Sequence, residues 1–196
     1  SNPKKYIKMK KLLFFLISAM TCFSVYSQSF WNQQTSNTTN HLRSVYFLNS
    51  DTGYIAGNGG VILKTTDGGS NWISKTSGTT EDLNSVYFVN ADTGYIAGRF
   101  ETILKTTDGG NTWNLKNSGV NNYSIHLESI FFTDSEIGFA VGNGYGGSNG
   151  CYIVQTIDGG NNWSMPTYNG LVHLNSIYFS SNSQGFAVGN SGAWYK

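Results

Sequence analysis

Charge is what this sequence has least of. Lys and Arg number 12 and Asp and Glu 11 in 196 residues, a charged share of 12%, about half the usual 25%. Five of the basic residues fall in the first eleven positions, the net charge is +1, and no basic stripe follows. Nucleic-acid binding through phosphate neutralisation is thereby excluded. Arginine is reduced to Arg43 and Arg99, cysteine to Cys22 and Cys151, and histidine to three residues. There is no Cys-x-x-Cys, no phosphate-binding loop and no nucleophile elbow, so the chemistries built on them lack their signatures.

No apolar run reaches the roughly 20 residues of a membrane-spanning helix. The longest, Leu12 to Val25 in "MKKLLFFLISAMTCFSVYSQS", follows a lysine-rich start at Met9. Val25 and Ser27 suit the −3 and −1 positions of a cleavage site before Gln28. The pattern predicts an upstream extension at 1–8 and a secretory signal peptide at 9–27. The protein is therefore expected to be exported, whether periplasmic, cell-surface or extracellular, meeting the membrane only through the signal peptide during export. A membrane anchor is disfavoured by the length of the run, and lipoprotein cleavage at Cys22 by the absence of Leu at its −3 position. After cleavage Cys151 is the one cysteine left of the two in this sequence, so no intramolecular disulfide is expected.

Glycine (24 residues) and aromatics (15%) are abundant, the composition of short strands joined by many turns. The order is repetitive. "LRSVYFLNSDTGYIAGNGGVILKTTDGGSNW" at 42–72 returns as "LNSVYFVNADTGYIAGRFETILKTTDGGNTW" at 83–113. A third copy opens with "LESIFFTDSEIGFAVG" at Leu127 and ends at Trp163; a fourth, "LNSIYFSSNSQGFAVGNSGAWYK", spans 174–196. Each unit reads as four short strands, with units at about 42–77, 83–118, 127–168 and 174–196 inside a repeat region of 28–196. Four antiparallel strands every 40–50 residues mark the blade of an all-β propeller. Blades must stack, because one sheet cannot bury both its faces alone. Val45, Phe47, Tyr54, Ile62 and their counterparts are the expected core between blades. A parallel β-solenoid is the rival, disfavoured by the hairpin-type turns. "FWNQQTS" at 30–36 matches "NWISKTS" and is expected as a lone closing strand. About four blades' worth of strands is present, read as part of a six- to eight-bladed propeller.

The segment T-x-D-G-G-x-x-W fits an Asp-box: Asp67, Gly69 and Trp72, then Asp108, Gly110 and Trp113, then Asp158, Gly160 and Trp163. A tight turn between the third and fourth strands needs positive φ, which glycine adopts without steric cost. The Asp can accept from the turn's own amides, and the Trp can cover the hairpin. The expected role is structural, not catalytic. Other Asp-box proteins include sialidases, whose substrate clamp takes three arginines and a Tyr–Glu pair; two arginines exclude that clamp within these residues. No catalytic residue and no cofactor is expected.

One constellation stands apart. His41, Asp82, His126 and His173 share one register, immediately before the Leu that opens each first strand. They could form a metal-binding or pH-sensitive ring, or satisfy loop backbone where it enters the strand. Equivalent positions around a wide propeller lie too far apart to share an ion, since metal–nitrogen bonds are about 2 Å. Length variation is confined to the loops after strands two and four, at the end opposite the Asp-boxes. Variable loops on a rigid scaffold commonly bind, so the ligand face is expected there, with Arg99, Phe100, Asn122, Tyr123, His126, Tyr145, Asn149 and Tyr168 as candidates.

The repeat L-x-S-V-Y-F-x-[ND]-x-D-T-G-Y-I-A-G-x-x-G-x-I-L-K-T-T-D-G-G-x-x-W resembles the photosystem II stability/assembly factor family of Asp-box propellers, over about 30–196. The resemblance implies a seven-bladed, exported or lumenal propeller that acts as an assembly chaperone without catalysis. Photosynthetic members use an arginine-rich patch to bind their reaction-centre partner, whereas this chain has only Arg43 and Arg99, both at loop positions, so that partner does not carry over. The reading is a non-enzymatic scaffold binding a protein or an extracellular polymer at its loop face. The alternative is the propeller portion of a secreted sialidase-like or other glycan-active hydrolase.

Overall fold

The computed structural model describes residues 31–120, 125–144, 150–165 and 172–196. The chain divides into a unit of residues 1–33 and a unit of residues 34–196, and every described strand belongs to the second. The first blade comprises β1 (Leu42–Phe47), β2 (Gly53–Gly57), β3 (Ile62–Thr65) and β4 (Ile73–Lys75). The second repeats it with β5 (Leu83–Phe88), β6 (Gly94–Gly98), β7 (Ile103–Thr106) and β8 (Asn114–Lys116). Both are antiparallel meanders in chain order. The third holds β9 (Ile125–Phe132), β10 (Gly138–Gly144) and β11 (Cys151–Thr156), and the fourth β12 (Leu174–Ser181), β13 (Gln184–Gly189) and β14 (Trp194–Tyr195). In the third blade the described residues of the fourth strand form one bridge, Gln155 to Ser164.

Two details depart from expectation. Trp31–Ser36 form no strand, and Phe30 lies outside the described residues. A fourth strand exists only by pairing with a third, and the last described sheet ends at β14. His126 also lies inside β9 rather than before it, opposite Asn143, because the longer hairpin pairs as far as Ile125 with Gly144.

The two ends of each blade separate as expected. At one end the first hairpin turn is capped by Asn49, whose Oδ1 accepts from the amides of Asp51 and Thr52 at 2.9 and 2.8 Å. Asn90 and Asp134 do the same in the next two blades. The Asp-box turn lies alongside: Gly68 N donates to Asp51 O, and Gly109 N to Asp92 O. At the other end the loops after the second strands donate to the residues that precede the first strands, Asn58 N to His41 O and Arg99 N to Asp82 O.

Blades stack through one repeated set of contacts. Ser44 Oγ of the first blade accepts from Val86 N of the second at 3.1 Å; Ser85 and Ile130, then Ser129 and Ile177, repeat the bond. Tyr46 donates to Phe88 O at 2.9 Å and Tyr87 to Phe132 O at 3.0 Å. Tyr54 stacks on Phe88 and Tyr95 on Phe132, each with ring centroids 3.9 Å apart, and Phe139 on Phe179 at 4.7 Å. Each interface closes over buried aliphatics such as Ala56 with Val86, and Ala97 with Ile130. An aromatic side chain burying 150–250 Å² dominates a core of this size.

Candidate functional site

The Asp-box is closed upon itself. Thr106 Oγ1 donates to Asp108 Oδ1 at 2.8 Å and accepts from Gly110 N at 2.9 Å. The same carboxylate accepts from the amides of Asn111 and Thr112 and from Thr112 Oγ1. The boxes at Asp67 and Asp158 repeat the pattern with the side chains of Asn71 and Asn162. Gly109 and Gly110 take φ of 66° and 74°, a region closed to most side chains. The Thr112 side-chain bond, then its amide, hold Asp108 down to about 2. The Asn162 amide and side chain hold Asp158 to about 2, and Asn71 lowers Asp67. Carboxylates so fully engaged as acceptors have little capacity left for a substrate proton or a metal. The Trp of each box does more than cover its hairpin. Trp113 meets Phe88 edge-on at 5.9 Å, and Trp163 meets Phe132 at 5.8 Å.

The sequence pattern did not reveal what these turns receive from the preceding blade. Tyr95 OH and Lys105 Nζ of the second blade both donate to Gly159 O, each at 2.6 Å. Tyr54 and Lys64 make the same pair of bonds to Gly109 O. Burial raises Tyr95 to about 12, so its hydroxyl remains a protonated donor at neutral pH, and burial lowers Lys105. The third blade carries Phe139 and Gln155 in these places. The only sequence signal was the joint recurrence of Tyr and Lys in the first two blades.

At the loop end the proposed ring does not assemble: among the described residues no group of three or more His, Cys, Asp or Glu could hold a metal. Asp82 instead gathers the two arginines. Arg99 Nη1 lies 3.4 Å and Arg43 Nη2 3.9 Å from Asp82 Oδ2, while Asp82 Oδ1 accepts from Gly59 N at 3.0 Å. Arg43 also donates to Asn58 Oδ1. His126 is buried, which lowers its pKa; Arg99 lowers it further and Asp82 opposes. His41 is exposed. Glu128, which the repeat pattern does not single out, faces the same cluster. Burial raises its pKa, against the pull of Arg43, Arg99 and His173.

Phe100 and Glu101 distinguish this end further. They stand where the first blade has Gly59 and Gly60, and both adopt left-handed backbone, φ 50° and 61°. Two adjacent non-glycine residues there cost on the order of 1–3 kcal/mol each. Phe100 is 42% exposed and meets the His126 ring edge-on at 5.0 Å. It lines an open groove of about 760 Å³ with Glu81, Leu115 and Lys116. Asn122, Tyr123, Tyr145, Asn149 and Tyr168 lie outside the described residues.

Stacked antiparallel blades, three of them locked by Asp-boxes, define an Asp-box, or BNR-type, β-propeller. The chain belongs to the photosynthesis system II assembly factor YCF48 family, whose family model matches residues 23–117 and 76–165. The structure is similar to that of YCF48 bound to D1 peptide (TM-score 0.68, 22% identity, covering 85% of this chain and 52% of that one). It is similar also to YCF48 from Cyanidioschyzon merolae (0.65, 18%, 84% and 58%) and to the GH74 enzyme of Niastella koreensis (0.58, 21%, 79% and 28%). This chain thus spans about half the length of the YCF48 propellers it matches. No curated protein matches it in sequence.

Proposed function

We propose that this chain is a non-catalytic binding and assembly scaffold, and that its loop end around Arg99 and Phe100 takes a segment of another protein. The observation that carries the reading is the left-handed pair Phe100–Glu101. Backbone strain of this kind persists where the surroundings over-determine it, characteristically at ligand sites. The neighbouring chemistry suits a peptide. Arg43 and Arg99 share one carboxylate, Asp82, which leaves guanidinium donors for a partner's carboxylate or carbonyl groups. Phe100 offers an exposed ring for an apolar side chain. A protein partner is favoured over an extracellular polymer because a family member has been solved with a peptide bound. The glycan-hydrolase alternative draws on likeness of fold alone.

The test is titration of the D1 peptide of that complex against the purified chain and its Arg99→Glu variant. Saturable binding that weakens at least tenfold in the variant supports the reading. No binding, or equal binding by both proteins, removes it. Export belongs to the same proposal, and N-terminal sequencing of the secreted protein should begin at Gln28.

A further inference from the structure

The first strand of every blade carries an extra residue that its second strand does not match. Arg43 is extra between Leu42 and Ser44, and Asn84 between Leu83 and Ser85. Glu128 is extra between Leu127 and Ser129, and Asn175 between Leu174 and Ser176. These are β-bulges, which re-aim a side chain and gather beside functional sites. All four extra residues are polar or charged. The bulge also brings two backbones unusually close: a Cβ on Gly98 would lie 2.4 Å from Asp82 O, and one on Gly142 1.9 Å from His126 O.

Asn84 and Glu128 belong to β5 and β9, which pack on each other between β1 on one side and β12 on the other. Both side chains are acceptors left without a donor. Asn84 is 8% exposed. Its Nδ2 donates at 2.9 Å to Leu127 O, the carbonyl immediately before Glu128, and this bond fixes the amide with its Oδ1 turned away. No described group donates to that Oδ1. Glu128 is half-buried. Arg43 and Arg99 act on it through space, but their ion pairs among the described residues go to Asp82.

Buried acceptors are costly when unmet, and a carboxylate beside an amide oxygen favours a donor that carries positive charge. A lysine ammonium is compact and offers three donors, whereas the planar fork of arginine matches a carboxylate alone.

We propose that Asn84 and Glu128 form a seat for a lysine side chain of the partner, its ammonium donating to Asn84 Oδ1 and to the Glu128 carboxylate. The seat rests on the peptide reading only in that the partner is a protein. It adds that the bound segment is read by charge of both signs, acidic groups at Arg43 and Arg99 and a lysine at the bulge.

The experiment is NMR titration of the isotope-labelled 196-residue chain with acetyl-Gly-Gly-Lys-Gly-Gly-amide, which has no acidic or apolar side chain for Arg99 or Phe100. The readout is the side-chain amide pair of Asn84. The expected result is a saturable shift in the wild type and a dissociation constant at least tenfold higher for Glu128→Gln. The same peptide with its lysine acetylated should lose as much, a comparison that needs no variant. Arg99→Glu should bind the lysine peptide as tightly as the wild type or more tightly, while losing the D1 peptide, so the two readings can fail separately. An unmoved Asn84 pair in the wild type overturns the proposal. So does equal binding by Glu128→Gln or of the acetylated peptide. An arginine peptide that binds as tightly as the lysine one overturns it too, since the site would then read charge and not the ammonium.

Discussion

Tyr54 and Lys64 donate to one and the same atom, the carbonyl oxygen of Gly109, at 2.8 and 2.7 Å. That carbonyl belongs to the Asp-box of the next blade and is buried, so it needs a donor, and it has two. Each donor can stand in for the other. Tyr54→Phe and Lys64→Met should each cost about 0.5–1.5 kcal/mol. The double variant should cost more than their sum, because only then is a buried carbonyl left without a partner, at about 1–3 kcal/mol. Urea midpoints of the four proteins measure the coupling. Strict additivity would show that one of the two bonds contributes nothing.

How much of this was legible follows from sequence separation. The Asp-box bonds join residues two to four apart, and their donors and acceptors can be read directly from T-x-D-G-G-x-[TN]. The hairpins were legible for the same reason. The contact from Tyr95 to Gly159 spans 64 residues, and nothing in either segment names the other until the stacking order of the blades is known. The strand expected at 30–36 resembled "NWISKTS" in composition, but strand formation is decided by the partner and not by the segment. At the loop end, the replacement of Asn-Gly-Gly by Arg-Phe-Glu was visible. Its consequence, left-handed Phe100, was not.

Gly78 and Gly119 occupy equivalent places after the fourth strands, with φ of 76° and 71°. A Cβ on Gly78 would meet nothing within 4 Å, whereas one on Gly119 would lie 1.9 Å from the carbonyl oxygen of Trp163 in the next blade. Gly78→Ala should therefore cost only the left-handed penalty, about 1–2 kcal/mol. Gly119→Ala must also push two blades apart and should cost about 4 kcal/mol or more, as only strain or lost packing of this kind does. Thermal unfolding of the pair decides. Equal losses would mean that the contact with Trp163 is not made.

Acid should unfold this protein through its Asp-boxes. Hydrogen bonds hold Asp108 and Asp158 at about 2, below the ordinary 3.8, and lower Asp67 in the same direction. A depressed folded-state value gives stability that is present above the unfolded value and lost as pH falls through the folded one. The urea midpoint should thus hold steady from pH 7 to pH 5 and fall between about pH 4 and 2. Asp108→Asn, which has no proton to gain, should start less stable and fall less steeply. A parallel decline in both proteins would locate the acid sensitivity elsewhere.

Glu128 works in the opposite sense. Burial raises its pKa, so the folded state disfavours its charged form, and the cost appears as pH rises through the folded value. Glu128→Gln should match the wild type near pH 3 and exceed it in stability at about pH 7, as read by urea unfolding at the two values. If the variant is instead weaker at neutral pH, the attraction of Arg43 and Arg99 outweighs the loss of hydration.

The strain at Phe100 separates stability from binding. Phe100→Gly relieves left-handed strain worth about 1 kcal/mol and removes a ring already 42% exposed. Its melting temperature should therefore equal or exceed that of the wild type, while its affinity for the D1 peptide falls. A structural Phe100, held only for its edge-on contact with His126 at 5.0 Å, would give the reverse: a lower melting temperature and unchanged affinity. The paired measurement tells whether the chain keeps a strained aromatic residue for its own packing or for a partner.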